Sequence, residues 1–429
     1  MKFRYYFVSA ICVILIAALA GCSSAPVPET PVRGEDGVIR SKNTVGYGEG
    51  ASSLRFGELA DCSDEKSLSG PSEYSAHTER KPGMMTGAEQ YDVKDISKWR
   101  SMFVKDQNGD NWETFVKNRG LDGRLATVVS VECDGEPVYN IRVTLCRSDG
   151  TAIYEARTDM SGVAVLCCPE KEYSGSLDVK IGDSIALSDV DLKTSAALSA
   201  SIGEKTEEVG KLDLMLMIDT TGSMGDELWY LQEELSDMVK RIAGEDNALS
   251  VRTSVNFYRD EGDEYVVKYY DFRDDAEEAV RIIKEQNADG GGDYPEAVHT
   301  ALDNAINGHV WRDDAVKLCY FVLDAPPHEE SEIQGINGEI YKSIESAAKQ
   351  GVRIIPVAAS GINEETEFIL RSFAVMTGGT YIFITDDSGI GLPHETPKVD
   401  DYTVEPLNEC MIRVACRYCG VRYNAQQKQ

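Results

Sequence analysis

The amino-acid sequence predicts an α/β chain: a doubly wound, mostly parallel sheet preceded by a small antiparallel β-sandwich. Three observations carry this. From Lys211 onward, apolar runs of strand length alternate with helical periodicities, the pattern of crossover units in a parallel sheet. The run from Leu212 to Ile218 is almost wholly apolar, as a strand covered on both faces reads. Residues 125–198 instead show short alternating segments cut by Asp134-Gly135, Asp149-Gly150 and Ser161-Gly162, which suggests a sandwich.

At the start of the chain, Lys2 and Arg4 precede an apolar run from Tyr5 to Ala20 that ends in Leu19-Ala20-Gly21-Cys22. This resembles a bacterial lipoprotein signal, with residues 1–21 removed and Cys22 lipidated. An ordinary signal peptide or membrane helix with a chance cysteine is the alternative. The resemblance implies a chain tethered on the exported side of a bacterial cell envelope. The lipid on Cys22 would be its membrane contact, because no later segment supplies the roughly 20 apolar residues of a helical span. Residues 22–94, rich in Ser, Gly, Pro and Glu, read as a flexible tether. In 95–124, Trp99, Met102 and Phe103, then Trp112, Phe115 and Val116, predict two short helices capping the next domain.

Strands are expected at 128–131, 141–145, 152–154 and 163–166, within a 125–198 domain. Gly135-Glu136-Pro137-Val138 through Thr158-Asp159-Met160-Ser161-Gly162 resembles the carboxypeptidase regulatory-like sandwich. A spacer or docking surface is its expected role. The vicinal pair Cys167-Cys168 reads either as a redox disulfide or as two separate structural residues.

The second domain, 205–395, is expected to hold strands at 212–218, 251–257, 266–270, 316–323, 352–358 and 380–384. Helices are expected over an amphipathic stripe from Leu228 to Ile242 and at 276–286, 341–350 and 364–376. The tail, 396–429, reads as a helix from Tyr402 to Arg417 with Cys410, Cys416 and Cys419 beside it. A structural zinc site is the alternative for those thiols, although only three cysteines cluster where four ligands are usual.

The chemistry concentrates in Asp219-Thr220-Thr221-Gly222-Ser223, where a strand delivers an acid and two hydroxyls at alternate positions. Ligands of open α/β sheets collect at such strand ends. The run matches the Asp-x-Ser/Thr-x-Ser signature and so resembles von Willebrand factor type A domains, whose metal-ion-dependent adhesion site holds Mg²⁺ or a similar cation. Two further segments in order, Gly290-Gly291-Gly292-Asp293-Tyr294-Pro295-Glu296 and Leu323-Asp324-Ala325-Pro326-Pro327-His328, resemble the other loops of that site. Tyr258-Arg259-Asp260-Glu261-Gly262-Asp263 has the look of the hemicentin-like subgroup.

The resemblance implies a Rossmann-like sheet and a cation, Mg²⁺ (or Mn²⁺ or Ca²⁺), held by Asp219, Thr221, Ser223, Glu296 and Asp324. Hydroxyl and carboxylate oxygens suit such a hard ion. The open coordination position would take an Asp or Glu from a protein partner, favoured by the helix start expected near Met224. Asp226 and Glu227, with Asp293, are candidates for an adjacent cation site. The loop lacks the Asn of the integrin version, which argues against a third ion.

Seventy-three acidic against 43 basic residues, a formal charge of −30, make nucleic acid and anionic lipid heads poor partners. Five histidines fall in no zinc-protease spacing, and there is no nucleophile elbow or Walker loop. No catalytic residue is therefore expected. His328 is read as a hydrogen-bonding residue at the site rim, and Cys319 as a small buried hydrophobe. The expected function is metal-dependent protein binding at the envelope. The alternatives are a metal-independent envelope scaffold, and an auxiliary subunit of an enzyme complex.

Overall fold

The computed structural model describes residues 36–40, 80–104, 112–203, 210–244, 249–391, 398–399 and 401–423. They fall in one compact unit, Arg33–Gln429. The signal-like segment, Cys22, Cys62, His77 and His394 lie outside the described residues.

The expectation of a tether over 22–94 fails at two places. Strands β1 (Gly37–Ile39) and β2 (Thr86–Gln90) both join the main sheet. Two short helices follow, α1 (Ile96–Ser101) and α2 (Glu113–Arg119). Their aromatics pack edge to face, with Trp99 and Trp112 ring centroids 5.7 Å apart.

Eight strands then form two four-stranded sheets: β3 (Thr127–Cys133), β4 (Glu136–Pro137), β5 (Arg142–Cys146), β6 (Ala152–Arg157), β7 (Val163–Leu166), β8 (Leu177–Ile181), β9 (Ser184–Val190) and β10 (Ala197–Ser201). One sheet runs β6-β5-β8-β9, and the other β10-β3-β4 with β7 on β3. The pairs are antiparallel except β10 on β3, which is parallel. Cys167 and Cys168 are buried free thiols, their pKa values pushed up chiefly by burial, which keeps them protonated.

The larger sheet is built from β11 (Lys211–Asp219), β12 (Ser250–Tyr258), β13 (Val267–Tyr269), β14 (Val316–Leu323), β15 (Val352–Ala358), β16 (Tyr381–Ile384) and β17 (Glu405–Pro406). Its order is β1-β13-β12-β11-β14-β15-β16-β2-β17. The centre, β12 to β16, is parallel; the four outer strands pair antiparallel. Six helices cover the two faces: α3 (Leu228–Ile242), α4 (Ala276–Lys284), α5 (Val298–Asn307), α6 (Ile336–Gln350), α7 (Glu364–Thr377) and α8 (Leu407–Cys419).

Period-two alternation divides β11 between those faces. Leu212, Leu214, Leu216 and Ile218 join the core under α3, α4 and α8, while Met215 and Met217 join the one under α5, α6 and α7. The latter core runs on without a break into the two smaller sheets. Buried hydrogen bonds tie them together: the Tyr154 hydroxyl donates to the Met376 carbonyl (2.6 Å) and Arg353 to that of Arg157 (2.6 Å).

Three differences from expectation have local causes. Helix α5 was not anticipated; it starts straight after the glycine loop, with no side chain capping it. Helix α8 begins at Leu407 rather than Tyr402, because Pro406 keeps the preceding residues extended. Ser223 lies in a 3-10 turn, Gly222–Asp226, and α3 begins at Leu228 rather than near Met224.

Candidate metal centre

The strand order reverses at β11, whose neighbours are β12 and β14. Three loops meet at this switch point. Asp219 ends β11 and is fully buried. One of its oxygens accepts from the Thr221 backbone N–H (2.8 Å) and the Thr221 hydroxyl (2.7 Å), an Asx turn that aims the chain into the 3-10 turn. The Thr221 hydroxyl, its one proton donated inward, keeps lone pairs outward and lies 3.1 Å from the Ser223 hydroxyl. Thr220 turns the other way, onto the Tyr258 carbonyl and the Tyr265 hydroxyl.

The second loop is stitched to the first: Gly222 N–H donates to the Gly290 carbonyl (3.1 Å) and Asp289 N–H to that of Thr220 (3.0 Å). Gly290 and Gly291 both have positive φ, and a Cβ on Gly291 would stand 2.9 Å from a Glu296 carboxylate oxygen. Only glycine lets the loop close this tightly. The Glu296 N–H donates to the Pro326 carbonyl (2.9 Å), tying the second loop to the third, which follows β14 and carries Asp324. Helix α2 reaches this third loop as well. Arg119, 4% exposed, donates to the Pro327 and His328 carbonyls (3.0 Å each), a role that no spacing announced.

Asp219, Glu296 and Asp324 are thus 0%, 2% and 6% exposed, and each keeps one buried oxygen without a hydrogen-bond partner. The Tyr258 hydroxyl, beyond strict hydrogen-bond geometry as well, faces Asp219 and favours its charged form. Among the described residues no arginine, lysine or histidine pairs with any of the three acids. Burial first, and then the neighbouring Asp219, Asp260 and Asp324 charges, push the Glu296 carboxyl up to about 10. Burial and Asp219 push Asp324 up to about 8, and burial raises Asp219. Desolvated like charges resist ionising together, and a cation among them would remove the conflict. The donor set, two hydroxyls and three carboxylates from three loops, fits a hard divalent ion.

Asp226, Glu227 and Asp293 are not brought together as an adjacent site. Glu227 is buried and accepts from the Ser360 N–H (3.1 Å), while Asp226 beside it is exposed. Asp293 instead approaches His328 and Glu332, with ligand atoms within 4.8 Å of one another. His328 is hydrogen-bonded: Nε2 to Asp260 (2.7 Å) and Nδ1 to Glu332 (3.3 Å). Asp260 lies 68 residues from His328, and no local signal paired them.

A mostly parallel sheet with helices on both faces, carrying this loop triplet at its switch point, is a von Willebrand factor A domain. Residues 213–386 match the family model of that name. Over 188 residues the chain is 28% identical to an ariadne-like RING finger protein of Acanthamoeba polyphaga mimivirus; the match covers 40% of this chain and 18% of that protein's length. Among solved structures, the conserved hypothetical protein BatB from Bacteroides thetaiotaomicron aligns with a TM-score of 0.33 and 9% identity, over 49% of this chain and 99% of that one. Among the described residues no helix is long and apolar enough to cross a membrane.

Proposed function

We propose that the A domain binds a divalent cation, Mg²⁺ in the first instance, and through it a carboxylate of a protein partner. Thr221 and Ser223 would hold the ion through their hydroxyls, and Asp219, Glu296 and Asp324 directly or through water. The bound ion supplies Lewis acidity toward an incoming Asp or Glu. The observation that carries the reading is the set of three buried carboxylates, each with an unpartnered oxygen and none with a basic partner. Asp219 orients Thr221, and Gly291 passes so close to both Thr221 and the Glu296 carboxylate that a Cβ there would crowd each of them. No side chain in the set is arranged as nucleophile and base, so the role proposed is binding rather than turnover.

Export and lipid attachment at Cys22 complete the proposal, and they rest on the sequence pattern. Fatty-acid labelling that disappears in Cys22→Ser tests them. The binding reading is tested by calorimetric titration of Mg²⁺, Mn²⁺ and Ca²⁺ into the full chain, with Asp219→Ala and Ser223→Ala checked for folding by circular dichroism. Saturable binding lost in both variants supports it. A well-folded wild type that takes up no ion favours the metal-free scaffold instead.

A further inference from the structure

We propose that Asp293, His328 and Glu332 form a second cation site, for a borderline transition ion of the Zn²⁺ class, beside the Asp219 centre. It shares no ligand with that centre and does not depend on it. The three residues offer one nitrogen and two carboxylate oxygens within 4.8 Å of one another. An imidazole ligand favours Zn²⁺ over Mg²⁺ or Ca²⁺, and three protein ligands leave a position open for water.

The orientation of His328 is the second observation. Its ring is 8% exposed, and Nε2 lies 2.7 Å from an Asp260 oxygen, which can only accept when ionised. That bond puts a ring proton on Nε2 and turns Nδ1 toward Glu332, 3.3 Å away, and the two carboxylates, Asp260 foremost, raise the affinity of the ring for a second proton there. In the metal-free protein that proton bridges Nδ1 and Glu332, and a metal ion bound by both would take its place. A carboxylate behind the far nitrogen of a ligating histidine is the usual arrangement that fixes its tautomer. Glu332 is held in turn by the Glu329 N–H (2.9 Å), and Arg119 fixes the His328 main chain from behind.

The site has an approach from solvent. His328 and Glu332 line a cleft of about 1150 Å³, together with Glu261, His299, Asp303 and Glu339. His299 has its Nδ1 buried without a partner among the described residues. Acidic walls draw cations to the triad.

The test is Zn²⁺ titration of the full chain by calorimetry in saturating Mg²⁺, with Co²⁺ absorption as a spectroscopic probe of nitrogen and oxygen ligation. Glu332→Gln and Asp293→Asn change exposed side chains and leave the fold intact; His328→Ala is the third variant. The expected result is saturable Zn²⁺ binding weakened about tenfold or more in each variant and unchanged in Asp219→Ala. Zn²⁺ binding absent in the wild type, unchanged in Glu332→Gln and Asp293→Asn, or lost only in Asp219→Ala overturns the proposal. The last two results mean a proton bridges His328 and Glu332, with zinc held by thiols or by the first centre. Failure of Mg²⁺ binding with Zn²⁺ binding intact would sink the proposed function alone.

Discussion

Strand β11 carries a fully buried aspartate near each end, and the protein treats the two oppositely. At the amino end, Asp213 accepts from Arg252 (3.0 and 2.7 Å) and from Arg312, through its side chain (2.8 Å) and its backbone N–H (2.7 Å). At the carboxyl end, Asp219 takes hydrogen bonds from the neutral donors of Thr221. The two side chains are six residues apart, an even spacing that sets them on the same face. A buried ion triad beneath α7 follows the amino-end rule, with Arg371, fully buried, gripping Asp92 (2.6 Å) and Glu367 (2.8 Å). Arginine compensates Asp213, Asp92 and Glu367, whereas Asp219, Glu296 and Asp324 have no basic partner among the described residues, and buried charge without a partner is costly. The proposed cation would supply the missing positive charge there.

The largest test of this contrast removes a compensating arginine. Arg371→Met strands two buried carboxylates and should cost about 3–5 kcal/mol in denaturant unfolding; a loss under about 1 kcal/mol would mean such pairing does not matter here. Next comes the outside cation. Mg²⁺ at a hundred times its dissociation constant should raise stability by about 2.7 kcal/mol. That gain should vanish in Asp219→Ala and survive in Arg312→Met. Smaller still, and opposite in sign at the two ends, are the amide substitutions in chelator. Asp213→Asn should destabilise by about 1–2 kcal/mol, because its guanidinium partners are partly exposed. Glu296→Gln, compared near pH 10 where the acids must otherwise ionise together, removes a charge from a repelling cluster and should be neutral or stabilising by up to about 1 kcal/mol.

The smallest effect is on pH dependence. Glu296 and Asp324 have folded-state pKa values raised to about 10 and about 8. Their contribution to the metal-free protein is therefore complete below the ordinary carboxyl range and is lost progressively as pH rises from that range to about 8 for Asp324 and about 10 for Glu296. Melting in chelator should fall over that window, and Mg²⁺ should flatten the fall. A melting temperature independent of pH across it would show the acids to be solvated.

The parallel sheet was legible because strands buried on both faces cannot hide their composition, and the metal centre because its residues recur in three contiguous runs. What escaped was held by partners rather than by its own pattern. At three residues, Gly37–Ile39, β1 is too short to show a period, and its ladder to β13 keeps it in place. Asp226 and Glu227 looked equivalent in sequence. The 3-10 turn that ends at Asp226 rotates Glu227 inward, to the Ser360 N–H. Asp260, His328 and Arg119 are brought together only by the tertiary fold.

A cation entering the Asp219 cluster would displace the protons that its carboxyls hold, so proton release reports on the proposed site. Mg²⁺ should be titrated into the full chain at pH 7 in two buffers of different ionisation enthalpy, with Asp219→Ala as control. With Glu296 and Asp324 holding protons at that pH, binding should be saturable and release about one to two protons per ion. Binding without proton release would contradict the raised carboxyls, and a wild-type titration indistinguishable from Asp219→Ala would contradict the cation site itself.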